Sequence, residues 1–163
     1  MKPFGIGICL WFDSEAEDAA KFYTSIFKDG RIGTIARFGK EGFEHHGKPE
    51  GSVMTVDFTA NGQKFVAING GPIFKFNESI SLMVYCDTQA QIDEYWEKLM
   101  AGGGKPQQCG WLKDKFGLSW QVVPTIMDEM QKDGTPEQVK RVMAEMYKMV
   151  KFDIETLKRA YKG

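Results

Sequence analysis

The sequence predicts an α+β fold of two tandem βαβββ modules forming cupped mixed sheets, with helices added at the C-terminal end. Three observations predict it. One pattern of strand, capping box and amphipathic helix is written twice, 74 residues apart between Asp13 and Asp87; strand-length runs follow each helix; and the pattern turns helical beyond Pro124. The expected organisation is a single domain, with module one over about 1–76, module two over about 77–124 and a helical tail over about 125–163.

Residues 4–12 (FGIGICLWF) form the first apolar strand, and Asp13 ends it. Ser14-Glu15-Ala16-Glu17 reads as a capping box, in which serine and glutamate side chains each satisfy an orphan backbone donor. Ala19, Phe22, Tyr23, Ile26 and Phe27 follow at i, i+3, i+4, i+7 and i+8, one stripe of a helix that stops at Asp29-Gly30. Residues 31–38 supply a strand, and 39–51 (GKEGFEHHGKPEG) a polar, glycine-rich loop. Residues 53–60 and 63–68 make a hairpin around Asn61-Gly62, because a two-residue type I′ turn needs two positive φ angles.

The second module starts with Ile80–Cys86, has its own capping box at Thr88–Gln91, and repeats the stripe at Ile92, Tyr95, Trp96, Leu99 and Met100 before Gly102-Gly103-Gly104. Shorter strands are expected near 105–109, 111–113 and 119–123, turning at Asp114–Gly117. In the tail, Thr135-Pro136-Glu137 starts a helix with Val139, Val142, Met143 and Met146 on one stripe, and Asp153 starts a last short one. The tail is expected to brace the sheet or a second subunit, its methionines serving as core filler.

Composition narrows the function classes. Twenty-one basic and 22 acidic residues are spread evenly along the 163, so neither nucleic acid nor a membrane surface is an expected partner. No apolar run reaches the ~18 residues of a spanning helix. Cys9, Cys86 and Cys109 are too few and too scattered for a disulfide framework or zinc knuckle, which suits a cytoplasmic protein.

Specific motifs carry a family resemblance. Leu10–Asp13, Phe22-Tyr23-x-x-Ile26-Phe27, Gly62-Gln63-x-Phe65-x-Ala67–Pro72, Gln108–Asp114, Ser119-Trp120-Gln121 and Phe152-Asp153-Ile154-x-x-Leu157 resemble the 3-demethylubiquinone-9 3-methyltransferase-like (PhnB-like) branch of the vicinal oxygen chelate superfamily of glyoxalases, bleomycin-resistance proteins and dioxygenases. The likeness spans nearly the whole chain. It implies that metal-using relatives take one ligand from the first strand and one from the last strand of each half, usually His or Glu. Counting back from Asp13 and Asp87 puts these at Ile6 and at Ile80 or Ser81, and the late strands give a position within Ala67–Asn69 and Gln121. A first-row metal needs imidazole, thiolate or carboxylate donors, so no metal is expected. The only histidines, His45 and His46, are adjacent in the polar loop, where neighbouring side chains diverge. Cys109 is expected to be a buried small hydrophobe.

The resemblance also carries a methyltransferase label, which the residues do not support. An adenosylmethionine or dinucleotide site puts a glycine-rich turn between strand and helix. Gly102–Gly104 follows a helix, and Gly70-Gly71 runs into Pro72. No cofactor is expected.

The expected function is binding of a small molecule in a cupped sheet closed by the partner of a homodimer. Trp11, Phe58, Trp111 and Trp120 are the candidate lining, and Asn69, Asn77 and Gln121 the candidate orienting amides. Gln121 leads them, because it takes the place of a metal-binding carboxylate. An alternative is an enzyme of this fold performing a metal-independent isomerase, lyase or transferase step; its catalytic residues are not assigned, and Asp57 and Asp114 are the nearest carboxylates. A regulatory protein docking a partner through its tail has no basic or heptad signal in its favour.

Overall fold

The computed structural model describes residues 5–163; Phe4, expected to open the first strand, lies outside them. The chain divides into two compact units, Met1–Lys75 and Phe76–Gly163, and the tail belongs to the second. The first contains β1 (Ile8–Phe12), α1 (Ala16–Ile26), β2 (Arg31–Arg37), a single turn α2 (Phe43–His46), β3 (Val53–Ala60) and β4 (Gln63–Asn69). The second contains β5 (Ser81–Cys86), α3 (Gln89–Met100), β6 (Lys105–Pro106), β7 (Trp111–Lys113), β8 (Ser119–Pro124), α4 (Ile126–Asp133), α5 (Pro136–Met146) and α6 (Ile154–Lys162).

The repeat is exact at the level of topology. One sheet has the order β1-β4-β3-β2 and the other β5-β8-β7-β6, each with its first and last strands parallel and the rest antiparallel. Period two along each strand then sorts side chains to two faces. In the first unit Leu10, Phe12, Val56, Phe58, Phe65 and Ala67 are buried under α1, against Ala16, Ala19, Ala20, Tyr23 and Ile26. In the second unit Val84, Cys86, Leu112, Trp120 and Val122 are buried on the sheet face under Ile92 and Leu99 of α3. Among the described residues no helix is long and apolar enough to cross a membrane.

Capping differs between the modules. The Thr88–Gln91 box forms as expected, and Thr135 and Gln138 make another at α5. The Ser14–Glu17 box does not form. Helix α1 starts after Glu15, which makes no side-chain cap, and the N–H of Ala16 instead donates to Oδ1 of Asn69 at 2.8 Å. A distant strand therefore caps this helix. Asp29 does more than end α1: its carboxylate accepts from the N–H groups of Asn61 and Gly62 (2.7 and 2.5 Å), holding a hairpin turn whose φ angles, 50° and 73°, are those of the expected type. The strand expected near 105–109 shrinks to β6, because Cys109 and Gly110 take left-handed φ of 58° and 78° and turn the chain out of the ladder.

Candidate functional site

Each sheet has a face opposite its helix. On the second sheet that face carries Ser81, Met83 and Tyr85 from β5, Trp111 and Lys113 from β7, and Gln121 and Val123 from β8. Gln121 sits in the row between Met83 and Trp111, the position that period two requires once Val122, fully buried, faces the helix. Its Nε2 donates to Oγ of Ser81 at 2.8 Å, and its carbonyl oxygen has no partner among the described residues. A half-satisfied amide beside a thioether and an indole can orient a ligand without charge. At the rim Lys113 donates to Glu78 at 2.6 Å, and this bond, with a second from Gln107, holds the Glu78 carboxyl below its usual range.

The equivalent face of the first sheet is charged. A hollow of about 750 Å³ is lined by Gly7, Arg31, Asp57, Thr59, Lys64 and Val66 among others. Register makes the repeat explicit: Val66 pairs with Cys9 as Gln121 pairs with Met83, and Asp57 opposes Val66 as Trp111 opposes Gln121. The position answering to Gln121 is thus Val66, one residue before the expected Ala67–Asn69 range.

The expected site residues separate into groups. Trp111 and Gln121 share the open face of the second sheet. Trp11 lies half-buried on the open face of the first, where its Nε1 donates to the Gly71 carbonyl at 2.9 Å and its ring meets Phe74 edge-on. Phe58 and Trp120 are buried in the core, Phe58 also edging the hollow of the first sheet. Phe58 stacks between Phe65 and Tyr23 with centroids 4.9 and 5.9 Å away, and Trp120, 4% exposed, donates its Nε1 to Asp114 at 2.9 Å. Asn69 is a clamp, since its amide also donates to the Val53 carbonyl at 3.0 Å. Asn77 is exposed and bonds the N–H and hydroxyl of Ser79, which makes it a turn residue. Asp114 staples the turn 114–118 by accepting from the N–H groups of Phe116 and Leu118.

His46 is likewise structural. Its Nδ1 accepts from the Lys48 N–H at 2.9 Å, Nε2 lies 3.3 Å from the Glu41 carbonyl, and the ring packs on Phe38, while His45 points to Glu44. Ser81 was expected only as the alternative to Ile80 at a ligand position, and Met83 and Tyr85 were not expected at the site, although the alternation that locates Gln121 also marks their side of β5.

Comparison with known proteins names the architecture. Residues 5–123 match the family described as 3-demethylubiquinone-9 3-methyltransferase. The chain belongs to that family. Its solved relatives include a PhnB protein from Bacillus cereus, 34% identical over 75% of this chain and all of its own length, with a TM-score of 0.65. Protein PA1353 from Pseudomonas aeruginosa is 18% identical over 75% of this chain and 98% of its own, at TM-score 0.58. The fosfomycin resistance protein FosX from Mesorhizobium loti, 12% identical over 80% and 99%, reaches 0.55 and shares the fold. A search of the curated proteins found no match.

The metal centre that the sequence resemblance implies for metal-using relatives does not fit the donors this chain presents. Ser81 and Gln121 are bonded to each other, Val66 is apolar and Gly7, 74 residues before Ser81, has no side chain. Among the described residues no three His, Cys, Asp or Glu gather as a metal site. The glycines do not make a nucleotide turn either. A Cβ on Gly70 would lie 2.0 Å from the Trp11 ring, and the N–H groups of Gly70 and Gly71 are spent on the carbonyls of Phe12 and Asp13.

Proposed function

We propose that this chain binds a small organic molecule without a metal ion, on the open sheet face where Gln121 lies between Met83 and Trp111. The observation that carries the reading is the amide itself: one end is fixed by Ser81, and the other, among the described residues, has no partner. A ligand donor placed against that oxygen replaces water by a positioned hydrogen bond, while the neighbouring Met83, Trp111 and Tyr85 supply apolar and aromatic contact. We further propose a homodimer, because Met83 and Tyr85 remain 44% and 53% exposed on a sheet face and need cover. Three free thiols suit a cytoplasmic setting.

The test is to identify any molecule that co-purifies with the chain and titrate it into Gln121→Leu. Affinity is expected to fall by about 1–3 kcal/mol, one hydrogen bond lost and its partner stranded, with the fold intact. Unchanged affinity would move the site to another face.

A second reading, metal-independent proton transfer, has Asp57 in its favour. That carboxylate stands on the open face of the first sheet, lines the 750 Å³ hollow, and makes no ion pair among the described residues. Turnover of the identified ligand, lost in Asp57→Asn, would support it.

A further inference from the structure

The turn that delivers Trp111 to the binding face is not self-supporting. Cys109 and Gly110 are consecutive left-handed residues, one of them with a side chain, a conformation that persists only where the surroundings impose it. Within the sheet the turn is tied by Trp111 N–H to Gln108, Gln107 N–H to Trp111 and Val122 N–H to Gly110. The N–H groups of Cys109 and Gly110 point the other way, and their acceptors come from the tail: the carbonyls of Met149 and Val150 at 2.8 and 2.7 Å. The Phe152 ring lies against the Gly110 backbone, where a Cβ would sit 2.4 Å from its Cε2.

The first unit shows what this contact replaces. There β3, eight residues long, is flanked on its outer side by the seven-residue β2, which pairs with it from Val53 to Thr59. In the second unit β6 has two residues and β7 three, so the chain just before Trp111 has no edge strand. Residues 149–152, between α5 and α6, stand in that place. This strap is itself anchored to α3: the Gln89 amide donates to the Phe152 carbonyl at 3.0 Å and accepts from the Ile154 N–H at 2.9 Å, and Lys151 pairs with Asp93. It lies wholly beyond residue 123, where the family match ends.

We propose that the strap 149–152 is the positioning element of the binding face, a substitute edge strand that fixes the Cys109–Gly110 turn and so sets where Trp111 stands beside Gln121; Phe152 and Gln89 are positioning residues. This rests on the reading of that face as the ligand site, but its test requires no ligand. The full-length chain is labelled with 5-fluorotryptophan, its four resonances are assigned by single Trp→Phe replacements, and wild type is compared with Phe152→Ala and with Gln89→Met, which releases the strap without opening a core cavity.

The Trp111 resonance is expected to shift or broaden in both variants, with those of Trp11 and Trp120 unmoved, and amide exchange at 109–111 to quicken at least tenfold. A purely structural role for Phe152 would instead disturb Trp120, buried in the core of the same unit. If Phe152→Ala does not fold, Gln89→Met decides alone. An unmoved Trp111 signal and unchanged exchange at 109–111 in a folded variant overturn the proposal. Loss of the Gln121→Leu effect on ligand affinity would overturn the binding face and leave these readouts standing, so the two failures are distinct.

Discussion

Asn69 shows how one side chain can look like a ligand group and be a structural one. Its oxygen caps α1 at Ala16 and its nitrogen holds the Val53 carbonyl, so one buried amide ties a helix start to two strands. Asn69→Ala is expected to lower stability by about 2 kcal/mol, the loss of a cap plus a stranded acceptor, read as a fall in urea midpoint with unchanged slope. A change within a few tenths of a kcal/mol would mean that water substitutes for the amide. Gln121 was legible from sequence because alternation along β8 fixes its side once Val122 is assigned to the helix. The same rule places Trp120 with Val122 on the helix side, away from the open face where a lining residue would stand. Asn69 was not legible, because its partners Ala16 and Val53 are distant in sequence and nothing local marks a helix capped from another strand. Burial also sets the chemistry of Cys86, whose thiol is pushed up to about 11.

At the scale of elements, the repeat, the hairpin, two helix stripes and the Thr88 and Thr135 starts were readable because their causes are local: periodicity, capping chemistry and the Asn-Gly turn. What distance decides was not, namely the failed Ser14 box and the shortened strand at 105–106, beyond which Cys109 and Gly110 bond to residues 149 and 150. The anchorage of the strap to α3 and the start of α6 also carry a pH dependence. Lys151 hydrogen-bonded to Asp93, and Thr156 hydrogen-bonded to Asp153 at the start of α6, hold both carboxyls below their ordinary range. A depressed folded pKa gives stability that is present above the unfolded value, ~4, and is lost as pH falls through the folded one. Urea midpoints are therefore expected to drop on acidification below ~pH 4 in wild type and less steeply in the Asp93→Asn, Asp153→Asn double variant. Parallel pH profiles would assign the acid response to other carboxylates.

For the molecule as a whole, the internal repeat gives two sheets of one topology with different open faces, Arg31, Asp57 and Lys64 on one and Met83, Trp111 and Gln121 on the other. Sedimentation is expected to show a homodimer at micromolar concentration; a monomer throughout would mean that the exposed Met83 and Tyr85 need no second copy. Metal-independent binding at Gln121 is tested by native mass spectrometry of wild type and Gln121→Leu together with elemental analysis. Wild type is expected to carry a small organic mass, the variant to show reduced occupancy, and neither to hold stoichiometric divalent metal. One tightly held zinc, manganese, nickel or iron per chain, or equal ligand occupancy in both proteins, would contradict such binding.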